Sequence, residues 1–221
     1  FTCEAGESSG DAAVGWVLER MGVAPNSDAY ANLERAASGI PAGSQSILVF
    51  DAWRGNRTPY FDAAARGVVF GLTLEHTPAH VYRAVLEGCA FGIRNVASRI
   101  RDAGHAIDEF RVCGSGAANT LWTQIIADAT GIPLRVSAEK HATCLGAAVC
   151  AAAAAGLFPS LAEAAAAMAP AFETVMPQTG IHAYDDYFSA YLKIYEKTCG
   201  TMAHLSALTG DTRPGRTGNS K

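Results

Sequence analysis

Cys-x-x-Cys pairs are absent from this chain of 221 residues, and its six cysteines, Cys3, Cys89, Cys113, Cys144, Cys150 and Cys199, fall mostly inside apolar segments. That usage leaves no zinc ribbon or disulfide frame and fits reduced core thiols in a cytoplasmic protein. The six histidines are dispersed and build no Cys/His ligand set, so a metal held only by side chains of this chain is not expected. Long apolar runs are missing too: the alanine-rich stretch from Ala147 to Ala155 is too short and too weakly hydrophobic to span a bilayer, so a membrane is not an expected partner. The opening residues, Phe1-Thr2-Cys3-Glu4-Ala5-Gly6, lack the basic-then-apolar order of a signal peptide and read as the interior of something longer. A net charge of −4 with scattered Lys and Arg offers nucleic acid no basic stripe.

What the chain does have is apolar content, 49% of its residues, enough for one α/β domain or two small lobes. Helical spacing of Val14, Val17, Leu18 and Met21 predicts a helix from Asp11 to Met21, and a second runs from Asp28 to Ala37. Ile47 to Phe50 and Val68 to Leu72 read as strands, separated by a turn-rich loop that starts at Asp51. Thr77-Pro78 opens a long amphipathic helix reaching about Ala103, with Thr as N-cap and Pro where its missing N–H costs least. On it, Arg83, Glu87 and Arg94, at spacings of four and seven, suggest an ion-pair ladder.

Phe110 to Cys113 and Leu134 to Val136 are further strands, and a helix from about Thr120 stops at Gly131. The small residues Gly146-Ala147-Ala148-Val149, in a helix from Ala142 to Gly156, predict tight packing against a neighbour. Ser160 to Met168 and Ala183 to Leu208 complete the helices, with Tyr184, Tyr187, Phe188, Tyr191, Leu192 and Tyr195 as a core-facing aromatic stripe. Residues 209–221 have the composition of a disordered tail.

The run Val112-Cys113-Gly114-Ser115-Gly116-Ala117-Ala118-Asn119 joins a strand to a helix through a glycine turn. Such a turn lets backbone N–H groups and a helix N-terminus face a nucleotide; it serves equally well to seat a helix closely on a sheet. Asp51, Asp62 and Asp128 are carboxylates that a base would require, and each also has a plainer place after a strand, at a turn or on a helix face. Asn56 and Arg57 form a polar pair at a loop tip, where Arg57 suits phosphate or a carboxylate and a solvated turn explains the pair as well.

Three segments resemble the carboxy-terminal half of the FGGY carbohydrate kinases. Gly67-x-Val69-x-Gly71-Leu72, seven residues, then His80-Val81-x-x-Ala84-Val85-Leu86-Glu87 is similar to the family's second signature pattern. The glycine turn with Gln124 and Asp128 resembles its adenine-nucleotide loop and following helix. Gly55-Asn56-Arg57-Thr58-Pro59, with Asp62 and Arg66-Gly67, is similar to the loop facing the interdomain cleft, and Leu145-Gly146-Ala147-Ala148 adds to the match. Glu4-Ala5-Gly6-x-Ser8 and Gly71-Leu72-Thr73-Leu74 lean toward ribulokinases and related pentulose kinases.

The resemblance implies an α/β fold of the actin-like, ribonuclease-H-like type, a mixed sheet flanked by helices, over residues 1–208. It implies a nucleotide-binding half acting with an amino-terminal sugar-binding domain that supplies the catalytic base, with no catalytic residue in this chain. ATP or ADP and Mg²⁺, a pentulose or polyol substrate held by that other domain, and a possible homodimer are the partners it implies. Gly114, Ser115, Gly116 and Asn119 are the implied nucleotide contacts, and Asn56 and Arg57 the implied cleft-facing residues. Two positions depart from the pattern: Ser115 replaces a glycine common in the family, and Gly15 stands where glycerol kinases place a nucleotide-contacting Gln.

Overall fold

The structure, a computed structural model, describes residues 10–24, 27–178 and 181–208. The expected tail and the opening residues lie outside them. In chain order the elements are α1 (Gly10–Arg20), α2 (Asp28–Ser38), β1 (Leu48–Phe50), β2 (Val68–Phe70), α3 (Pro78–Asp102), β3 (Phe110–Val112), α4 (Thr120–Thr130), β4 (Leu134–Ser137), α5 (Ala142–Ala154), α6 (Leu161–Ala167), β5 (Phe172–Val175) and α7 (Ile181–Leu208). β1 and β2 form an antiparallel pair with Val49 opposite Val69. The second sheet is mixed, in the order β3-β4-β5: β3 and β4 run parallel, β4 and β5 antiparallel.

α3 is the axle. It begins as its sequence predicts, with Pro78 in the first turn, and His80 takes the part that Glu plays in a capping box, its Nδ1 accepting from the Thr77 N–H at 3.2 Å. Its buried face, including Tyr82, Val85, Leu86, Cys89 and Phe91, joins one core with α1, β1, α4 and α7. Gly88 and Gly92 let β1 lie directly on this helix, because a Cβ at either position would strike Val49 or the Asp51 carboxylate. The aromatic stripe of α7 closes the core from the other side, with Tyr184 and Tyr191 buried and Tyr60 stacked on Tyr195 at 3.8 Å.

Inside this core sits a buried ion pair. Arg83 Nε donates to Glu87 at 2.9 Å, and the same carboxylate accepts from the Gly43 N–H, the Ser44 hydroxyl and the Tyr184 hydroxyl. Arg83 also donates to the Ala37 carbonyl and to Tyr184. Burial pushes the Glu87 carboxyl up from its ordinary value, and the Arg83 charge and the donated bonds pull against it. Arg94 does not extend a ladder. It pairs with Asp185 of α7 at 2.6 Å and lies over the Phe188 ring, since seven residues along the helix place it opposite α7.

Three other expectations are corrected. β5 has no counterpart in the sequence reading, because Phe-Glu-Thr-Val lacks an apolar run and becomes a strand by pairing with β4. The small residues of α5 are not tightly packed: only Val149 on that helix is buried, and nothing lies within 4 Å of a Cβ built on Gly146. The cysteines are not mostly core thiols, since among the described ones only Cys89 is buried, while Cys113, Cys144 and Cys150 are exposed.

Breaking the ion pair from one side leaves a charge in the core. Glu87→Ala is expected to lower stability by about 3–5 kcal/mol in urea unfolding, whereas Arg83→Met combined with Glu87→Met loses clearly less than that single change.

Candidate functional site

β3 ends at Val112, and Gly114 then turns the chain with φ 94° and ψ −170°, a conformation that disfavours any side chain. The backbone from Ser115 to Ala118 follows as one 3₁₀ turn, with Ala117 N–H bonded to the Gly114 carbonyl and Asn119 N–H to the Gly116 carbonyl. A Cβ on Gly114 would meet nothing within 4 Å, so the turn faces open space rather than a packed element. α4 starts immediately afterward. Between its first turn, at Thr120 and Leu121, and α2, at Glu34, Arg35 and Ser38, lies a recess of about 280 Å³.

Asn119 is buried, and its amide is committed inside the protein. Its Oδ1 caps α4 by accepting from the Trp122 N–H at 2.8 Å, and its Nδ2 donates to the Tyr82 hydroxyl at 2.8 Å and the Tyr30 hydroxyl at 3.2 Å. Tyr30 in turn donates to Glu34 at 2.9 Å, on the rim of the recess. Burial, followed by the bonds with Tyr82 and Glu34, pushes the Tyr30 hydroxyl above the ordinary tyrosine range. Sequence reasoning singled out Asn119 but missed Tyr30, Tyr82 and Glu34. Tyr30 and Glu34 stand on α2 and Tyr82 on α3, and they carry no motif.

The loop from Gly55 to Asp62 is braced by its own hydrogen bonds. Asn56 and Asp62 exchange backbone bonds of 2.8 and 2.9 Å, and Asn56 Oδ1 accepts from the Tyr60 N–H. Asp62 Oδ1 accepts from the Ala64 N–H, and Oδ2 from the Tyr195 hydroxyl at 3.0 Å. Arg57 is exposed at the tip, beside the cis Thr58–Pro59 bond and near Phe61, which is 72% exposed. A second recess, this one apolar, of about 320 Å³ and lined by Val112, Cys113, Leu145, Val149, Met168 and Phe172 among others, lies where α5 and α6 meet the mixed sheet.

The three nominated aspartates all hold structure. Asp51 is buried and accepts from Tyr191 at 2.5 Å; Asp62 braces the loop; Asp128 accepts from Gln124 and from the Gln178 N–H, tying α4 to the segment after β5. Gly15 lies on exposed α1 backbone with open space where a side chain would project. His76 and His80 stand four residues apart, a spacing the sequence reading passed over, yet His76 precedes α3 and bonds the Gln45 carbonyl. Among the described residues, no three or more His, Cys, Asp and Glu side chains are grouped to hold a metal ion, and no helix is long and apolar enough to cross a membrane.

Removing the Asn119 amide takes away a helix cap and two donated bonds together. Asn119→Ala is expected to cost roughly 2–3 kcal/mol in thermal or urea unfolding, more than the loss of an exposed N-cap such as Ser160→Ala.

Residues 1–155 match the profile of the FGGY family of carbohydrate kinases, C-terminal domain. The chain is 32% identical over 211 residues to a ribulokinase of Anoxybacillus flavithermus, covering 89% of this chain and 37% of that protein. It superposes on the crystal structure of xylulose kinase from Rhodospirillum rubrum with a TM-score of 0.75 at 25% identity, covering 89% of this chain and 39% of the other. Glycerol kinase from Plasmodium falciparum, solved with ADP, shares the fold at a TM-score of 0.70 and 22% identity, over 87% of this chain and 37% of that one. The chain thus spans little more than a third of the length of these relatives. The mixed sheet flanked by helices is that of the actin-like ATPase fold these kinases share. Taken with the match over residues 1–155, this places the chain in the FGGY family of carbohydrate kinases, as a C-terminal domain.

Proposed function

We propose that this chain is the nucleotide-side half of an ATP-dependent sugar kinase that phosphorylates a hydroxyl of a ribulose-like pentulose or a related polyol. The observation that carries the reading is the recess between α2 and the first turn of α4, beside a glycine turn that faces open space, in a chain of this family. The backbone of Gly114, Ser115 and Gly116 would lie along the nucleotide. The helix start behind it favours negative charge. Asn119 serves this site by fixing the start of α4, its own amide being occupied by Trp122, Tyr82 and Tyr30.

Phosphoryl transfer also requires a positioned acceptor hydroxyl, a base for its proton and neutralisation of phosphate charge, which Mg²⁺ supplies when bound with ATP. Asp51, Asp62 and Asp128 are engaged in structural bonds, so the base and the sugar contacts are assigned to an amino-terminal sugar-binding domain, which also completes the metal site around the phosphates. Asn56 and Arg57 are assigned to the face toward that domain. The loop beneath them is already braced by Asp62 and Tyr195, and Arg57 is an exposed residue whose planar guanidinium suits phosphate or a carboxylate. Ribulose is favoured as acceptor by the match to a ribulokinase. A cytoplasmic enzyme that pairs as a homodimer fits the reading.

The test has two arms. Calorimetric titration of the 221-residue chain is expected to show ADP binding without sugar-dependent ATP consumption, and such consumption by this chain alone overturns the division of labour. Joined to its amino-terminal half, the protein is expected to turn over ribulose faster than xylulose, ribitol, erythritol or glycerol in a coupled kinase assay. A preference for one of the others overturns the assignment of the acceptor.

A further inference from the structure

Three helices meet at one buried point behind the nucleotide recess. α2 contributes Tyr30, α3 contributes Tyr82, and the start of α4 contributes Asn119. Tyr82 has no exposed surface, and its ring meets that of Tyr30 edge to face, with centroids 6.4 Å apart. Their polar atoms form a chain with only one workable direction. Glu34 can only accept when ionised, so the Tyr30 proton goes to it, at 2.9 Å. The Tyr30 oxygen is then left to accept from Tyr82, at 3.4 Å, and from Asn119. Asn119 supplies its second amide proton to Tyr82 and keeps its oxygen for the Trp122 N–H.

The two ends of this chain are the two walls of the recess. Glu34 lines it on α2, and the Asn119 cap sets where Thr120 and Leu121 begin on α4. We propose that Tyr30, Tyr82 and Asn119 act as a positioning latch that holds α2 and the glycine turn at the spacing a nucleotide requires. Nucleotide affinity then depends on the hydroxyl of Tyr82, a residue no ligand can touch. The proposal rests on the nucleotide reading of the recess. Its physical basis is cooperativity: α2 cannot swing from α4 without breaking bonds from Tyr82 and Asn119 to Tyr30 together, each leaving a buried polar atom without its partner.

The test compares two deletions of a buried hydroxyl in the 221-residue chain. Tyr82→Phe keeps the ring and removes the latch bond. Tyr191→Phe removes the bond to Asp51, which lies away from the recess. Both are expected to lower the melting temperature. Only Tyr82→Phe is expected to weaken ADP binding by calorimetry, roughly 5- to 10-fold, while Tyr191→Phe stays within about twofold of the unaltered chain. Tyr30→Phe, at a half-buried position that tolerates the change more readily, is expected to show the same direction of loss and stands in should Tyr82→Phe not fold. ADP affinity unchanged in both latch variants, with the melting temperature lowered, overturns the latch and leaves the nucleotide reading in place. Failure of the unaltered chain to bind ADP overturns both.

Discussion

The buried pair of Arg83 and Glu87 is the constraint on which most of this fold hangs. Two charges removed from water hold together only because every donor and acceptor around them is supplied, and the suppliers come from three places in the chain. The carbonyl of Ala37 comes from α2, the N–H of Gly43 and the hydroxyl of Ser44 from the following turn, and the Tyr184 hydroxyl from α7. That turn contains Ser44, Gln45 and Ser46, all at positive φ, a backbone that persists only when its surroundings over-determine it. β1 starts directly after it, so the carboxylate of Glu87 governs where the first strand meets α3, and through β1 the pose of the loop carrying Asn56 and Arg57.

Tyr82 stands one residue before Arg83 on the same helix. α3 therefore holds two polar centres, one that joins α2, the turn and α7, and one that joins α2 to the glycine turn. The sugar-kinase signature from Gly67 to Glu87 acquires a physical meaning from this arrangement. It describes the support for a site rather than the site: Glu87 anchors the turn before β1, while Ala84, Val85 and Leu86 fill the core.

Most elements could be read directly from the chain, because period, caps and turns are local properties. Thr77-Pro78 did start a helix, Gly131 did end one, and the aromatic residues of α7 do face the core. The failures share a cause. β5 exists only because β4 offers it an edge, the small residues of α5 stay largely exposed because the fold buries only Val149 on that helix, and Arg94 found Asp185 rather than Glu87 because α7 passes there. None of these depends on residues near in sequence.

The candidate site divides along the same line. A glycine turn between strand and helix, with Asn119 as a polar residue at the helix start, was visible as a pattern, since backbone freedom and capping chemistry belong to single positions. What Asn119 does with its amide was not visible. Its partners Tyr82 and Tyr30 lie 37 and 89 positions away, and Tyr191 reaches Asp51 across 140. The amino-acid order alone determined where most segments curl, extend or turn, and which family they belong to. Only the packed structure decided which polar groups satisfy one another, because burial forces each to find a partner wherever the fold brings one within reach.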